Sequence, residues 1–225
     1  AEDLAKWDLD VFKLATPEMA ALAGEMFHQL GLVSKYRIDE EVLSNFIHSV
    51  FDNYRPNPFH NCYHAFSVLH MTFLMIKNGA DEYLAPLDLL SALIGSFCHD
   101  IDHPGNNNVF EVNAMTDLAL AHGDDAVLER HHAHRAFQVL LAEGNNVLRE
   151  LQARDAAGFR ATRRRVVAVI LGTDMSRHAA HVDLLAARAQ RLNHPHPGAH
   201  PGAAGGAGGP HAHHHPHHRA GPAAA

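Results

Sequence analysis

Four titratable side chains crowd the end of an otherwise apolar segment. They are His99, Asp100, Asp102 and His103, in the string CHDIDHPG. The residues that lead into them, from Pro86 onward, are apolar nearly all round and predict a buried helix. Burying several imidazoles and carboxylates without partners would cost several kcal/mol. The cluster therefore needs partners, and metal ions are suitable ones.

A second pair of imidazoles precedes this cluster by about 35 residues. His60 and His64 are four positions apart in the string HNCYHA. We predict a helix from about His60 to Lys77, in which positions i and i+4 share one face. Imidazole suits zinc-like ions, whereas carboxylate and water suit magnesium or manganese. One carboxylate between two ions about 4 Å apart would build a two-metal hydrolytic site.

Helices must position these residues, because hydrophobic spacing along the chain is helical and no convincing alternating strand occurs. We predict an all-α fold. We predict helices that span Thr16 to about Gly31, His60 to Lys77, about 107–121, 125–142, and about Gly158 to Leu192. Two further helices are predicted to begin at Asp39 and at Pro86.

Composition restricts the classes of protein to which the chain can belong. Its 225 residues are 47% apolar and carry a net charge of −7, which gives no electrostatic reason to expect nucleic acid or an anionic membrane as partner. The two cysteines, Cys62 and Cys98, fit a reducing compartment and are expected to be small core residues rather than ligands. We expect a cytoplasmic protein without direct membrane contact.

The 22 histidines fall into two populations, and nine of them lie from His194 onward. Residues 194–225 contain only His, Pro, Gly and Ala apart from Arg219, so this tail is expected to be disordered. The run from His213 to His218 could bind a transition metal loosely. A low-complexity expansion or a mistranslated end is the interpretation we favour. Among the other histidines, the group of His131, His132 and His134 could include one that is buried and hydrogen-bonded, and none of them is expected to be a ligand.

Four ordered motifs carry a family resemblance. HNCYHA at 60–65, HDIDHPG at 99–105, LERHH at 128–132 and LGTDMSRH at 171–178 closely resemble the Class I cyclic-nucleotide phosphodiesterases, in that family's order and at similar spacings. The resemblance covers roughly residues 5–185. It implies a multi-helix, HD-domain-like fold, a role in signal transduction, and a small cyclic nucleotide as partner.

The resemblance also implies roles for individual residues. His60 matches the general acid that protonates the leaving 3′ oxygen, and with His64 and Asp100 it should contact the substrate. His64, His99 and Asp100 match ligands of a tightly bound, zinc-like ion. Asp100 also matches the bridge to a second ion, usually magnesium or manganese. Four further residues match groups that orient the waters around the ions or line the same region: His103, Glu129, Thr173 and Asp174.

The family's domain continues beyond the part resembled here, and that continuation normally supplies a fourth metal ligand and a purine-binding glutamine. No such aspartate context follows His178, and Asp183 is not its equivalent. We therefore expect residues 1–193 to be the N-terminal portion of a catalytic domain, with regulatory domains in a longer parent chain. Three alternatives stay open: a fragment of an active cyclic-nucleotide phosphodiesterase, an inactive metal-binding fragment, and a generic His-Asp phosphohydrolase.

Overall fold

The computed structural model describes residues 2–193, and within that range the regular structure is helical, without strands. The predicted all-α class is confirmed. The α-helices are α1 (Thr16–Gln29), α2 (Leu32–Tyr36), α3 (Glu40–Asp52), α4 (Cys62–Lys77), α5 (Pro86–Phe97), α6 (Asn108–Asn113), α7 (Asp117–His122), α8 (Val127–Leu140), α9 (Arg149–Arg154), α10 (Ala156–Leu171) and α11 (His178–Asn193). Short 3-10 turns cover Glu2–Ala5, Val11–Lys13, Ala80–Glu82 and Met175–Arg177.

Local chemistry explains where the best-predicted helices begin. Asp39 caps α3, because its carboxylate accepts hydrogen bonds from the backbone N–H groups of Glu41 and Val42. Proline stands in the first turn of both α1 and α5, where its missing N–H costs no hydrogen bond. The starts predicted at Asp39 and Pro86 are therefore confirmed.

Two predicted helices are interrupted. The helix expected near 107–121 is two short helices, α6 and α7, separated at Met115, which has a positive φ of 48°. The helix expected from Gly158 to Leu192 stops at Leu171, because the Asp174 carboxylate accepts from Ser176 N and caps a new turn. Polar caps at these points compete with helix continuation. The short helices α2 and α9 were not predicted.

Helix α5 lies at the centre of the core and packs against α4 and α10. Its apolar side chains are buried on nearly every side, among them Leu90, Leu93, Ile94 and Phe97. Gly95 allows α10 to approach closely, since a Cβ there would lie 2.7 Å from Val169 Cγ1. The buried α5 helix therefore delivers its C-terminal end, at Phe97, into the interior of the protein.

The described residues up to Val182 form one compact unit, and α11 continues from Asp183 into a second one. None of the described helices combines the length and apolar character needed to cross a bilayer. The predictions for the histidine-rich tail at 194–225 lie outside the described residues.

Candidate metal centre

Three potential metal-ligand atoms converge where α4 begins and α5 ends. His64 Nε2 lies 3.0 Å from His99 Nε2 and 3.1 Å from Asp100 Oδ2. His99 Nε2 lies 3.0 Å from the same carboxylate oxygen. This is the group of His, Cys, Asp and Glu side chains in residues 2–193 whose donor atoms are close enough together to hold one ion. The structure thus brings together the three residues that the resemblance had matched to ligands.

The segment that carries two of these residues, which we call the HD segment (residues 99–105), is held by side chains from elsewhere in the fold. Tyr54 is buried, and its hydroxyl donates to Phe97 O at 2.9 Å and accepts from Asp100 N at 3.2 Å. Asn57 Nδ2 donates to His103 O at 2.7 Å. The end of α5 is therefore tied to the loop that follows α3.

Hydrogen bonds to backbone carbonyls set the tautomer of two imidazoles. His99 Nδ1 donates to Ser96 O at 2.8 Å, and His132 Nδ1 donates to Ile101 O at 2.7 Å. A carbonyl oxygen can only accept, so each Nδ1 carries a proton and, in the neutral ring, each Nε2 presents a lone pair. His99 is thus arranged as a metal ligand usually is, with its other nitrogen anchored to the backbone.

Asp100 is charged in this environment. Burial alone would raise its pKa, but the close contacts with the His64 and His99 side chains outweigh burial and hold the pKa of Asp100 well below its usual range. Its second oxygen, Oδ1, lies 3.8 Å from His132 Nε2. The carboxylate therefore presents negative charge to imidazoles on two sides.

His60 lies beside the three convergent residues, although the helical reason we gave for its position is wrong. Helix α4 begins at Cys62 because the Asn61 side chain accepts from Tyr63 N and His64 N, which places His60 in the preceding loop. Its Nε2 still lies 3.9 Å from Asp100 Oδ2. A cap, and not a shared helix face, brings the two imidazoles to the same carboxylate.

Three imidazoles stack into a column. The His60 ring lies parallel to His103, with ring centroids 3.8 Å apart, and the His103 ring faces His132 at 5.4 Å. Burial, the largest cause in each case, lowers the pKa of all three, to about 4 for His103 and about 3 for His132. Gly105 N donates to His103 Nδ1, so the proton of the neutral His103 ring is on Nε2.

The remaining residues matched by the resemblance lie in two different settings. Glu129 accepts from Asn108 Nδ2 at 2.9 Å, which joins α8 to α6. Thr173 and Asp174 lie in what we call the TD segment (residues 171–178), where Thr173 Oγ1 donates to Ile170 O and Asp174 caps the turn. Both of these bonds are local, so the roles of Thr173 and Asp174 stay predictions.

The other histidines and the cysteines differ in burial, and Cys62 is half-buried. Cys98 is fully buried, and burial raises the pKa of its thiol. His132 is the buried, hydrogen-bonded member of the 131–134 group. His70 is buried, and its Nε2 donates to Leu4 O.

Comparison with known proteins identifies the family. The family model described as 3′5′-cyclic nucleotide phosphodiesterase matches residues 59–201. The chain belongs to this family. It is 37% identical over 194 residues to the high affinity cGMP-specific 3′,5′-cyclic phosphodiesterase 9A of Mus musculus, a match covering 86% of this chain and 36% of the mouse protein.

Two further relatives of this phosphodiesterase-family chain agree. The high affinity cAMP-specific and IBMX-insensitive 3′,5′-cyclic phosphodiesterase 8A of Homo sapiens is 34% identical over 184 residues, covering 79% of this chain and 22% of the human protein. The crystal structure of the phosphodiesterase domain of the RhoPDE fusion protein from Salpingoeca rosetta superimposes with a TM-score of 0.80 at 36% identity, covering 84% of this chain and 59% of that one. The chain thus spans about a third or less of the length of these curated relatives.

Sequence reasoning did not reveal the contacts that several residues make beside the candidate metal centre of this phosphodiesterase-family chain. Asp102, within the HD segment, contacts both Arg55 and His131. The Tyr54 hydroxyl donates to Phe97 O, just before that segment. Asp102 stands inside the HDIDHPG motif, but its type and position do not reveal which partners it contacts. Those partners come from regions 47 residues before it and 29 residues after it.

Proposed function

We propose that residues 1–193 are the N-terminal, metal-binding and proton-donating portion of an enzyme that hydrolyses a 3′,5′-cyclic nucleotide to its 5′-monophosphate. Family membership supports the chemistry. The names of the relatives include a cGMP-specific and a cAMP-specific enzyme, so the proposal covers both nucleotides. Residues 194–225 are proposed to be a separate tail that takes no part in the reaction.

One observation carries this proposal: His60 lies next to the convergent donors without being one of them. His64, His99 and Asp100 have their donor atoms within 4.8 Å of one another. His60 Nε2 is 3.9 Å from Asp100 Oδ2, and about a third of the His60 side chain is exposed. Donors that are mostly shielded from solvent, beside a more exposed imidazole, would separate ion binding from proton transfer.

The donor set fits a divalent cation. Two imidazole nitrogens and one carboxylate oxygen form a set typical of a zinc-like ion, and the anchored tautomer of His99 leaves its Nε2 free to bind. We propose that His64, His99 and Asp100 hold this ion, and that Asp100 also serves a magnesium or manganese ion as a bridge. When bound, such cations supply positive charge for the phosphate and an activated water for its attack.

His60 is proposed to donate the proton to the departing 3′ oxygen. Burial lowers its pKa, and the charge of Asp100 opposes part of that decrease. A general acid works best when its pKa lies near the working pH, because it must first hold the proton and then release it. The partly exposed ring can contact the substrate, as can His64 and Asp100 on the same side. His103, Glu129, Thr173 and Asp174 are proposed to orient waters around the ions.

Binding of a metal without turnover is the second candidate function. It is favoured by the size of the donor set, since three protein donors converge within residues 2–193. Such a protein would bind zinc through the same residues but would not hydrolyse a cyclic nucleotide.

A turnover assay with two variants tests the proposal. The full chain, alone and joined to the downstream segment of a related domain, would be assayed on cAMP and cGMP with zinc and magnesium, and after chelation. We expect the joined protein to hydrolyse at least one nucleotide to its 5′-monophosphate. His60→Ala should lower turnover roughly 10²- to 10⁴-fold and leave bound zinc nearly unchanged. Asp100→Ala should remove both.

Any metal that the histidine-rich tail binds should be the same in every variant, so differences between variants report the site. If His60→Ala removes the metal, the assignment of acid and ligands is wrong. If the joined protein binds zinc but hydrolyses neither nucleotide, the binding-only candidate is favoured.

A further inference from the structure

Asp102 adopts a backbone conformation that needs support from its surroundings. Its φ is 60°, in the left-handed region of backbone conformations that residues other than glycine rarely adopt. Asp and Asn tolerate this region better than most residues, but it still costs some conformational free energy. The backbone N–H of Asp102 donates to Asn53 O at 2.9 Å, which fixes the turn to the end of α3.

The carboxylate of Asp102 joins two other parts of the fold. Its Oδ1 accepts from Arg55 Nε at 2.7 Å, and its Oδ2 lies 2.9 Å from His131 Nε2. Arg55 belongs to the loop that carries His60, and His131 lies on α8 beside His132. Each oxygen of one carboxylate thus contacts a different structural element, with the HD segment between them.

These contacts are too exposed to matter mainly as a source of stability. About half of the Arg55 side chain and a quarter of the Asp102 side chain are exposed. Ion pairs at such positions stabilise the folded state only slightly. The cost of the left-handed turn opposes this small stabilisation. What the pair of contacts does provide is a fixed orientation for the backbone between Asp100 and His103.

We propose that Asp102 is a positioning residue, whose carboxylate clamps the HD segment between Arg55 and His131 and so holds His99 and Asp100 in converging geometry. This inference rests on the proposed function, because it takes His99 and Asp100 to be metal ligands. Asp102 itself contacts neither the ion nor the substrate. It acts through the adjacent backbone, in the way that groups behind a metal ligand commonly tune affinity.

The Asp102→Gly variant distinguishes the clamp from simple stabilisation of the fold. Asp102→Gly removes the carboxylate and also relieves the backbone strain, so the folded state should lose little free energy. Asp124→Gly is the matched control, because Asp124 is also left-handed, with φ 61°, but is exposed and lies outside the HD segment. A third variant, Asp102→Asn, keeps the shape and can still accept from Arg55.

Zinc affinity of the full chain would be measured by competition with a chromophoric chelator, with the Asp100→Ala signal subtracted to remove binding by the tail. We expect Asp102→Gly to lower the affinity of the site about 10- to 100-fold, the range found when groups behind a ligand are removed. The midpoint of thermal unfolding without metal should stay within a few degrees of the parent value. Asp102→Asn should give a smaller loss, and Asp124→Gly none.

Hydrogen exchange at residues 99–105 provides a local readout that the tail does not affect. With zinc present, exchange should be faster in Asp102→Gly than in the parent chain and unchanged in Asp124→Gly. Unchanged affinity in both Asp102 variants would overturn the clamp, as would an equal loss in Asp124→Gly.

If Asp102→Gly does not fold, two variants outside the segment decide the matter. Arg55→Met and His131→Gln each remove one side of the clamp, and each should lower zinc affinity severalfold; if neither does, the clamp is wrong. If Asp100→Ala leaves zinc affinity unchanged, the metal site itself is wrong and the positioning role is wrong with it. Loss in Asp100→Ala without loss in the clamp variants refutes the clamp alone.

Discussion

The HD segment and the TD segment are both family motifs, but the fold holds them in different ways. Side chains from the α3–α4 loop and from α8 contact the HD segment through Asn57, Arg55, His131 and His132. Across the described part of the chain, the hydrogen bonds of the TD segment join residues at most four positions apart. A segment fixed by long-range contacts opens only when several elements separate, whereas a locally bonded turn can open alone.

This difference shows which part of the proposed site the described residues determine by themselves. The three convergent donors lie on or beside the HD segment. Thr173 and Asp174 share a motif with exposed residues such as Met175. The position of the TD segment is therefore set by where α10 ends and by its own cap. The following predictions test whether the two segments differ as strongly in solution.

Acidification should have the largest effect, and it should act on the HD segment. Burial lowers the pKa of His132 from 6.5 to about 3 and that of His103 to about 4. Between pH 6.5 and these values the unfolded chain binds more protons than the folded one, so stability falls as pH falls. Each such histidine contributes up to about 1.4 kcal/mol per pH unit. Urea unfolding without metal, from pH 7 to pH 4.5, measures this slope.

The variant His132→Asn should reduce that slope by up to one proton, because asparagine can still donate to Ile101 O but does not titrate. Hydrogen exchange on acidification should increase at residues 99–105 before it increases at 171–178. A slope that His132→Asn leaves unaltered, or exchange that increases first in the TD segment, would contradict the comparison.

Gly95→Ala should have the next largest effect, since Gly95 lies where α5 meets α10. An added Cβ would lie 2.7 Å from Val169 Cγ1 and 2.8 Å from Val169 Cβ, so α10 must shift. Overpacking of this kind costs about 1–3 kcal/mol. The TD segment follows α10 directly, so its hydrogen exchange should increase more than that of the HD segment.

Gly24→Ala is the matched control in the same assay of chemical unfolding. Its Cβ would meet Ile47 Cδ1 at 3.7 Å, an ordinary contact, and alanine favours a helix by up to about 1 kcal/mol over glycine. If Gly95→Ala destabilises no more than Gly24→Ala, the close approach of α5 and α10 does not set the position of the TD segment.

Much of this architecture could be predicted from the sequence because its signals are local. Asp39 and Pro86 mark helix starts through their own side chains, and the apolar run after Pro86 indicates burial. The His64, His99 and Asp100 cluster followed from residue types and family motifs together. The predicted start of α4 is two residues early, because the spacing of His60 and His64 does not indicate that Asn61 caps the helix. The contacts of Asp102 depend on folding of the chain, and no local pattern specifies them.

Asp174→Ala should have the smallest effect. It removes the cap on the turn at Met175–Arg177, and loss of a cap costs roughly 0.5–2 kcal/mol. We expect a value near the lower end, about 0.5–1 kcal/mol, because the turn is short and partly exposed. Hydrogen exchange should increase at 173–177 alone, and zinc affinity should change less than twofold. A loss of zinc comparable to that of Asp100→Ala would show that the TD segment is coupled to the metal centre.

The stacked rings of His60, His103 and His132 differ in how well they can hold a proton, because they differ in burial. Burial lowers the pKa of the two inner rings, to about 4 for His103 and about 3 for His132, whereas His60 is partly exposed. Near neutral pH both inner rings are therefore neutral, whereas the proposed function requires His60 to hold a proton. Once His60 has released that proton, neither inner ring can replace it near neutral pH. Under the proposed function, each recharging of His60 must draw on bulk water, so buffer and solvent access at His60 would control how quickly the acid is restored.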